Sequence, residues 1–234
     1  MAAPVAHIVL ALLMLKGPFA EKDKEAFLAG TVFPDIRYIA GLSREETHKP
    51  NVTLEDIKKE PSSFKAGMYL HALVDKIWWD YMRDDVHKLQ KENQRADIIL
   101  KFFEGTLLRD RIDDFPAIEA ALDKIWNEER AFGIPDEIIK GWHEFIKMCF
   151  SKKLPPVGKI AAFYAITLVQ SRFVKLPSLI RKLAVEGLSR LPLTTLFGVR
   201  QFINKIKDDE ALKQKILYFY DNFETILEKY AASC

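Results

Sequence analysis

Residues 64–82 constrain the fold most, because they place two ligand-type side chains on one apolar helix face. The residues of this face recur at spacings of four and three, the period of an α-helix: Phe64, Met68, His71, Asp75, Trp78 and Met82. Burying a carboxylate there costs several kcal/mol unless a cation compensates it, and the face contains no Lys or Arg. A bound metal ion would supply that charge. The alternative is a core histidine that is hydrogen-bonded to the aspartate.

The chain is long enough to bury such a site. Of its 234 residues, 49% are apolar and 29% are charged, which predicts a globular protein with one domain or one and a half. Its two cysteines, Cys149 and Cys234, form no Cys-x-x-Cys pattern. They are typical of reduced thiols, which favours a cytoplasmic protein.

Charge is distributed unevenly along the chain. Residues 1–150 carry 21 Lys and Arg against 26 Asp and Glu, whereas residues 151–207 carry 11 against a single acid. Residues 208–234 are acidic again, with 3 basic against 6 acidic side chains. We therefore predict a metal-binding helical domain at 1–150, with a basic amphipathic helical extension at 151–234 packed on it.

The basic segment predicts three amphipathic helices, at residues 158–173, 177–188 and 193–207. Its Lys and Arg residues, interleaved with Phe, Leu and Ile, resemble helices that lie on an anionic membrane surface. The alternative is a helical cap whose apolar faces pack on the metal-binding domain. A nucleic-acid groove is less favoured, because it usually has more exposed aromatic residues. The final stretch, 208–230, is predicted to form one acidic helix.

Residues 2–15 carry no charged side chain, and His7 is the only strongly polar one among them. A signal peptide is not favoured, because no Lys or Arg precedes the apolar run and no small-x-small cleavage site follows it. The run is also too short to span a bilayer. It therefore predicts a buried helix that begins near Pro4, in which His7 is either a hydrogen-bonded core residue or a metal ligand.

Two more polar residues follow breaks in the helical pattern. Pro34 interrupts the pattern and places Asp35 on a turn or at a helix start. A capping box, Ser43-x-x-Glu46, opens a short turn that leads to His48. Each residue taken by itself also has an ordinary structural explanation. Asp35 could be a normal turn residue, and His48 could be an exposed loop histidine.

Taken together, these residues form an ordered set that resembles the zinc-dependent phospholipase C family. The matching elements cover about the first 80 residues and comprise His7, Phe27-Leu-Ala-Gly-x-x-x-Pro-Asp-Ile36, Thr47-His48 and Gly67-x-x-x-His71-x-x-x-Asp75. The resemblance implies an all-α, multi-helix fold shared with fungal zinc nucleases, here with a C-terminal helical extension. It also implies that the metal ligands are His7, Asp35, His48, His71 and Asp75.

The same resemblance implies one or two zinc ions, with Asp35 acting both as a ligand and as the general base. Imidazole and carboxylate ligands suit Zn²⁺ on chemical grounds as well. The secreted members of the family hold a third metal through a later His-x-x-x-Glu. This chain departs from that pattern, since His87 and His143 are followed four residues later by Lys91 and Lys147. A third metal is therefore not expected.

The expected function is hydrolysis of a phosphoric ester by a metal-activated water, with a phosphodiester such as a phospholipid as substrate. Residues 151–207 would hold the protein at an anionic membrane surface, as a peripheral cytoplasmic enzyme. Two alternatives remain open. One is a phosphohydrolase that acts on nucleotides or nucleic acids at the same site. The other is a non-catalytic helical scaffold or membrane-associated protein in which the polar residues are structural.

Overall fold

The computed structural model describes residues 2–94, 96–151 and 197–233, and all regular structure in these residues is helical, which confirms the predicted all-α class. The first helices are α1 (Pro4–Leu15), α2 (Lys24–Val32), α3 (Arg37–Ala40), α4 (Arg44–Thr47), α5 (Leu54–Lys59) and α6 (Ser63–Gln90). They are followed by α7 (Ala96–Leu108), α8 (Phe115–Leu122), α9 (Asn127–Arg130) and α10 (Asp136–Phe150). The last are α11 (Phe197–Asp208), α12 (Glu210–Asp221) and α13 (Phe223–Ser233), and two 3-10 helices span Phe33–Ile36 and Arg109–Arg111.

The first helix, α1, begins at Pro4 as predicted, because the missing N–H of proline is not needed in the first helical turn. It is enclosed by α2, α6, α7 and α10. This enclosure explains why residues 2–15 carry no charge, since nearly every side of the helix meets another helix. His7 lies in the middle of α1 and is 1% exposed.

Helices α2 and α6 cross in backbone contact, because glycine occupies the crossing point on both. A methyl group at Gly67 would lie 2.2 Å from the carbonyl oxygen of Phe27, and one at Gly30 would lie 1.9 Å from the carbonyl oxygen of Phe64. Only a hydrogen atom in place of a side chain permits this approach. The crossing brings the end of α2 close to the middle of α6, where the two ligand-type residues of the central face lie.

Replacing Gly67 with alanine is therefore expected to lower the free energy of unfolding by about 3 kcal/mol, because the added methyl group must push two helices apart. The gain in helix propensity, about 1 kcal/mol, is too small to offset this. Urea denaturation followed by circular dichroism measures the loss. Gly17→Ala is the control, since a methyl group there meets nothing closer than 3.8 Å. Equal stability of the two variants would refute the close crossing.

The central helix, α6, is longer than its apolar pattern predicted. Ser62 caps its first turn by accepting a backbone hydrogen bond, and the helix continues past residue 82 to Gln90. Apolar residues at spacings of three and four also predict helices over residues 96–108 and 135–150, and these are present as α7 and α10. Apolar periodicity thus located these helices well, whereas their ends depend on individual caps.

The same apolar spacing predicts a helix over residues 116–126, but the helix there ends earlier, at Leu122. The indole N–H of Trp126 donates a hydrogen bond of 3.0 Å to the carbonyl oxygen of Ala121, so a side chain satisfies the last turn of α8. Trp126 also serves as the N-terminal cap residue of the short helix α9. A side-chain contact therefore ends a helix that the apolar pattern alone would continue.

The prediction of a single helix at 208–230 is wrong, because Asn222 separates α12 from α13. The side-chain amide of Asn222 donates a hydrogen bond of 2.9 Å to the carbonyl oxygen of Tyr218, and its backbone N–H donates to the same oxygen. Asparagine competes with the helical hydrogen-bond pattern in this way, so the chain turns before continuing as a new helix.

The C-terminal helices pack against the N-terminal part of the chain. Both α11 and α12 contact α7, and they add these apolar residues to the common core: Phe202, Ile203, Ile206, Leu212, Ile216 and Phe219. Helix α11 overlaps the helix predicted at 193–207, whereas those predicted at 158–173 and 177–188 lie outside the described residues. Among the described helices, none combines the length and apolar character needed to cross a membrane.

A buried carboxylate on α7, Glu104, ties both ends of the described chain to the central helix. Its oxygens accept hydrogen bonds from the indole N–H of Trp78 (2.6 Å), the hydroxyl of Tyr220 (2.5 Å) and the backbone N–H of Ala3 (3.0 Å). Burial raises the pKa of Glu104 to about 7, against the opposing effect of the hydrogen bonds from Tyr220, Trp78 and Ala3. The carboxyl therefore titrates near neutral pH.

This raised pKa predicts a stability change at neutral pH. Because the pKa of Glu104 rises from 4.5 to about 7 on folding, the folded chain holds the proton more tightly than the unfolded chain. Its contribution is fully present below about pH 4.5 and is lost as the pH rises through about 7. Between about pH 4.5 and about pH 8, we expect the wild type to lose roughly 3 kcal/mol more than Glu104→Gln.

Urea denaturation across this pH range measures the difference between the two proteins, so that effects of other titrating groups cancel. Glu119→Gln removes an exposed acid on α8 and serves as the matched control, with a pH profile like that of the wild type. A Glu104→Gln profile parallel to that of the wild type would contradict the raised pKa.

Candidate metal centre

Five buried polar side chains converge between α1, α2 and α6, and they are the five predicted ligands. None is more than 5% exposed: His7, Asp35, His48, His71 and Asp75. The first comes from α1, the second from the 3-10 helix after α2, the third from the end of α4, and the last two from one face of α6. The structure therefore brings together every residue that the sequence singled out as a ligand, from parts of the chain that are far apart in sequence.

Asp35 owes its position to the change in helix type after α2. With Pro34 in its first turn, the chain continues as the 3-10 helix Phe33–Ile36. The indole N–H of Trp142 donates a hydrogen bond of 3.1 Å to the carbonyl oxygen of Val32 and so satisfies the end of α2. Helix α10 therefore helps to hold Asp35 at the centre.

His48 is positioned by the predicted capping box. The hydroxyl of Ser43 accepts from the backbone N–H of Glu46, and the carboxylate of Glu46 accepts from the backbone N–H of Ser43. The chain leaves α4 in an extended conformation at His48. The hydroxyl of Thr47 lies 2.8 Å from Nδ1 of His48, and the other ring nitrogen lies 3.7 Å from Oδ2 of Asp75.

The hydrogen bonding of His71 identifies its tautomer. Its Nδ1 lies 2.8 Å from the carbonyl oxygen of Thr31, which can only accept, so Nδ1 carries the proton. In the neutral ring, Nε2 therefore bears a lone pair. This nitrogen lies 3.7 Å from Oδ2 of Asp75 and 3.9 Å from Oδ1 of Asp35. Hydrogen-bond acceptors thus face one another across the centre.

Burial keeps two of the imidazoles neutral. It lowers the pKa of His71 well below its usual value, and the neighbouring His7 adds to this effect. Burial also lowers the pKa of His7. The two rings stack with their centroids 3.9 Å apart. Neutral imidazole is the form that binds a metal ion, so these side chains are ready to act as ligands.

Several atoms at the centre have no hydrogen-bond partner within the described part of the chain. They are both ring nitrogens of His7, Nε2 of His48, Nε2 of His71 and Oδ1 of Asp35. Leaving a polar atom unsatisfied in the interior costs about 1–3 kcal/mol. A cation bound among these atoms would satisfy several of them together.

The separations fit a metal ion. Two sets of ligand atoms lie within 4.8 Å of one another: one from His7, His71 and Asp75, the other from Asp35, His48 and His71. Zinc bonds of roughly 2.0–2.2 Å place neighbouring ligand atoms roughly 3.3–3.6 Å apart in a tetrahedral site. The separations between imidazole and carboxylate atoms here run from 3.4 to 3.9 Å. Small side-chain adjustments would therefore complete the geometry.

Two cations that sequence reasoning missed lie beside the carboxylates. Lys101, on α7, is 8% exposed and places its Nζ 2.8 Å from Oδ2 of Asp35. Arg44 places its Nη2 3.1 Å from Oδ2 of Asp75. The absence of Lys and Arg from the face of α6 therefore does not leave the buried carboxylates without a cation, because α4 and α7 supply one each.

Both carboxylates are held in the ionised form. Burial would raise the pKa of Asp35, but Lys101 and His71 hold it below its usual value. Burial would also raise the pKa of Asp75, but the surrounding histidines hold it well below its usual value. Burial would lower the pKa of Lys101, but Asp35 raises it instead. The centre therefore combines ionised carboxylates with neutral imidazoles, which is the donor set of a zinc site.

One of the missed cations leaves a signal in the sequence. Lys101 interrupts an otherwise apolar run, Ile98-Ile-Leu-Lys-Phe-Phe103, and a lone lysine in such a run needs a buried partner. Arg44 has no comparable signal, because a basic residue in the first turn of a capped helix is usually exposed. Its contact with Asp75 depends on how α4 packs near α6.

The two later histidines take other partners. Nε2 of His143 lies 2.8 Å from a carboxylate oxygen of Glu129, and both residues are buried. Glu129 also accepts a hydrogen bond of 2.9 Å from the backbone N–H of Trp126. His87 is exposed on α6 and contacts the ring of Trp79. The expectation that neither histidine holds a third metal stays a prediction.

Comparison with models of protein families, with curated proteins and with solved structures gave no match to this chain. The resemblance to zinc-dependent phospholipases C therefore rests on the ordered residues of the sequence. What the centre can do has to be argued from its own geometry and chemistry.

Proposed function

We propose that this protein is a zinc-dependent phosphoric-ester hydrolase similar to phospholipase C. The observation that carries the proposal is the lone pair of His71 Nε2, which faces oxygens of Asp35 and Asp75 at 3.9 and 3.7 Å. Three acceptors in this arrangement repel one another. A cation between them replaces that repulsion with coordination.

The ligand set favours zinc, and the role of His71 favours a single ion. Imidazole nitrogens and carboxylate oxygens are characteristic zinc ligands. His71 belongs to both sets of three ligand atoms, but it can offer only Nε2, since Nδ1 is engaged with Thr31. That nitrogen can bind one ion at a time. We therefore favour one zinc ion over the pair that the resemblance also allows.

When bound, zinc would supply a Lewis acid that acidifies water and stabilises negative charge on a phosphoryl group. The residues of the chain prepare the site for an anionic substrate. Lys101 and Arg44 balance the charges of Asp35 and Asp75, so the charge of an added ion is left for the substrate. The side chain of Arg44 is 43% exposed and extends this positive charge towards solvent.

Asp35 has two oxygens with different surroundings, which suits the ligand and water-orienting roles that the resemblance implies. Oδ2 is held by the ammonium of Lys101, and Oδ1 faces His71 without a hydrogen-bond partner among the described residues. Its lowered pKa keeps the carboxylate ionised at neutral pH. It can therefore accept a hydrogen bond from a water molecule while its orientation stays fixed.

A phosphodiester, such as the head group of a phospholipid, is the proposed substrate class. The support is a centre whose carboxylates are already balanced, so that a bound ion would add net positive charge, together with a segment, 151–207, whose net charge is +10. Such a segment is attracted to an anionic membrane surface. A nucleotide or nucleic-acid substrate would use the same centre, and binding to polynucleotides rather than to vesicles would identify it.

A non-catalytic helical scaffold is the second candidate, and the ion pairs are the observation that favours it. The pairs of Lys101 with Asp35 and of Arg44 with Asp75 neutralise both buried carboxylates without a metal. With these pairs the core needs no metal ion for charge balance, which suits a protein whose helices only bind partners or a membrane. Its metal content separates this candidate from the hydrolase.

The test is elemental analysis of the full chain, purified without chelator or a metal-affinity tag, followed by assays of phosphodiester hydrolysis. We expect one equivalent of zinc per chain, and hydrolysis that a chelator abolishes and added zinc restores. If the chain bound no zinc and gained no thermal stability when zinc was added, the hydrolase proposal would fail and the scaffold would stand.

A further inference from the structure

A cavity of about 230 Å³ adjoins the candidate metal centre, and its walls are mainly apolar. The apolar lining includes Tyr38, Trp79, Ile98, Phe102, Trp142 and Phe145. The pair of Asp35 and Lys101 forms part of the wall, and Asp97 adds a third charged group. The cavity and the metal centre therefore share one side chain, Asp35, whose other oxygen faces His71.

The aromatic walls are held by contacts within the fold. The ring centroid of Phe145 lies 5.5 Å from that of Trp142 and 6.5 Å from that of Phe102. The indole of Trp142 is fixed by its hydrogen bond to Val32. Because these rings are held by contacts within the fold, little conformational freedom is lost when an apolar group enters.

We propose that this cavity binds the apolar alcohol portion of the substrate, a ring or a short chain, while the attached phosphoryl group meets the candidate metal centre. The inference rests on the proposed function and narrows its substrate class. The lining favours a hydrocarbon group, and the ammonium of Lys101, paired with Asp35, lies at the wall of the cavity that adjoins the candidate metal centre.

The volume of the cavity limits the size of this group. Sites for drug-sized ligands measure roughly 300–1,000 Å³, and this cavity is smaller. It holds a compact group and has no room for two acyl chains. Within the proposed substrate class, the cavity therefore favours phosphodiesters of a compact apolar alcohol over phospholipids, whose alcohol portion carries two acyl chains.

The charged groups at the cavity wall predict that binding of the alcohol and binding of its phosphate ester depend differently on zinc. Asp35, Asp97 and Lys101 together carry one negative charge, which opposes an anion unless a metal ion is added. A neutral alcohol should therefore bind with or without zinc. Its phosphate ester should bind tightly only when zinc is present.

The experiment is isothermal titration calorimetry of the full chain with 1-naphthol and with 1-naphthyl phosphate, each with and without zinc. Ile98→Trp fills the cavity, and Ile125→Trp is the same substitution at a half-buried position outside the lining. We expect Ile98→Trp to bind 1-naphthol at least about tenfold more weakly than the wild type. We expect Ile125→Trp to bind it as the wild type does. If Ile98→Trp fails to fold, Trp79→Ala, which removes one wall, should show the same weakening.

The cavity inference is overturned if wild type does not bind 1-naphthol, or if the folded cavity variant binds it as tightly as wild type. Normal 1-naphthol binding by a chain that binds no zinc and hydrolyses no phosphodiester would remove the proposed function and leave a ring-binding cavity. Zinc-dependent hydrolysis of 1-naphthyl phosphate at the same KM in Ile98→Trp and wild type would support the proposed function and overturn the cavity inference.

Discussion

Replacing His71 with glutamine is expected to weaken zinc binding at least about 100-fold, because His71 is shared by both sets of candidate ligands. Removing a group that only orients a ligand already costs roughly 10–100-fold in metal affinity, so removing the ligand itself should cost more. Glutamine keeps a polar side chain of similar length but lacks the ring nitrogen. Competition against a zinc-binding dye, together with thermal unfolding with and without zinc, measures the effect.

His87→Gln is the matched control, since His87 lies on the same helix but is exposed and outside the centre. Zinc should raise the melting temperature of wild type and of His87→Gln, and should leave that of His71→Gln unchanged. If His71→Gln bound zinc as tightly as the control, the candidate centre would not be the zinc site.

Replacing Lys101 with methionine is expected to lower the free energy of unfolding by about 3–5 kcal/mol, because it leaves the carboxylate of Asp35 buried without its cation. Methionine has a similar length and fits an apolar environment, so loss of packing contributes little. Urea denaturation of the metal-free protein measures the change without interference from zinc binding.

The double variant with Asp35→Asn and Lys101→Met should recover much of this loss, since it removes both charges together. Lys124→Met is the control, because Lys124 forms an ion pair of similar length with Glu25 at the surface. That pair should contribute little, since water and salt screen it. A Lys101→Met variant as stable as the control would show that Asp35 does not depend on Lys101.

The zinc affinity of His71→Gln and the stability of Lys101→Met together distinguish the hydrolase from the non-catalytic scaffold. A centre that holds zinc through His71 and also needs Lys101 would be a metal site whose carboxylates are balanced before the ion arrives. A centre that needs Lys101 but never binds zinc would be an ion-pair core of a scaffold. The structure contains the geometry for both, because Asp35 presents one oxygen to Lys101 and the other to His71.

Much of the fold was predictable because helix periodicity is a local property. The apolar pattern located α1, α6, α7 and α10, and the capping box predicted the turn that carries His48. Helix ends were less predictable where a side chain acts as a cap: Trp126 ends α8, and Asn222 divides the C-terminal stretch into two helices. Such caps depend on side-chain hydrogen bonds, which periodicity does not contain.

The sequence by itself determined the residue types of the candidate site and their order along the chain. His71 and Asp75 share a helix face because of their spacing, and Asp35 follows α2 because Pro34 changes the helix there. These are consequences of local backbone geometry. The metal and the activity that the residues suggest stay predictions until zinc is measured.

Only the tertiary structure decided what surrounds those residues. The glycine crossing of α2 and α6 set the approach of Asp35 to His71, and the packing of α7 and α4 brought Lys101 and Arg44 to the two carboxylates. The cavity beside Asp35 likewise exists only because distant helices meet there. The physical reason is that charge balance and enclosed volume depend on distances between elements, whereas a sequence pattern specifies only the arrangement within each element.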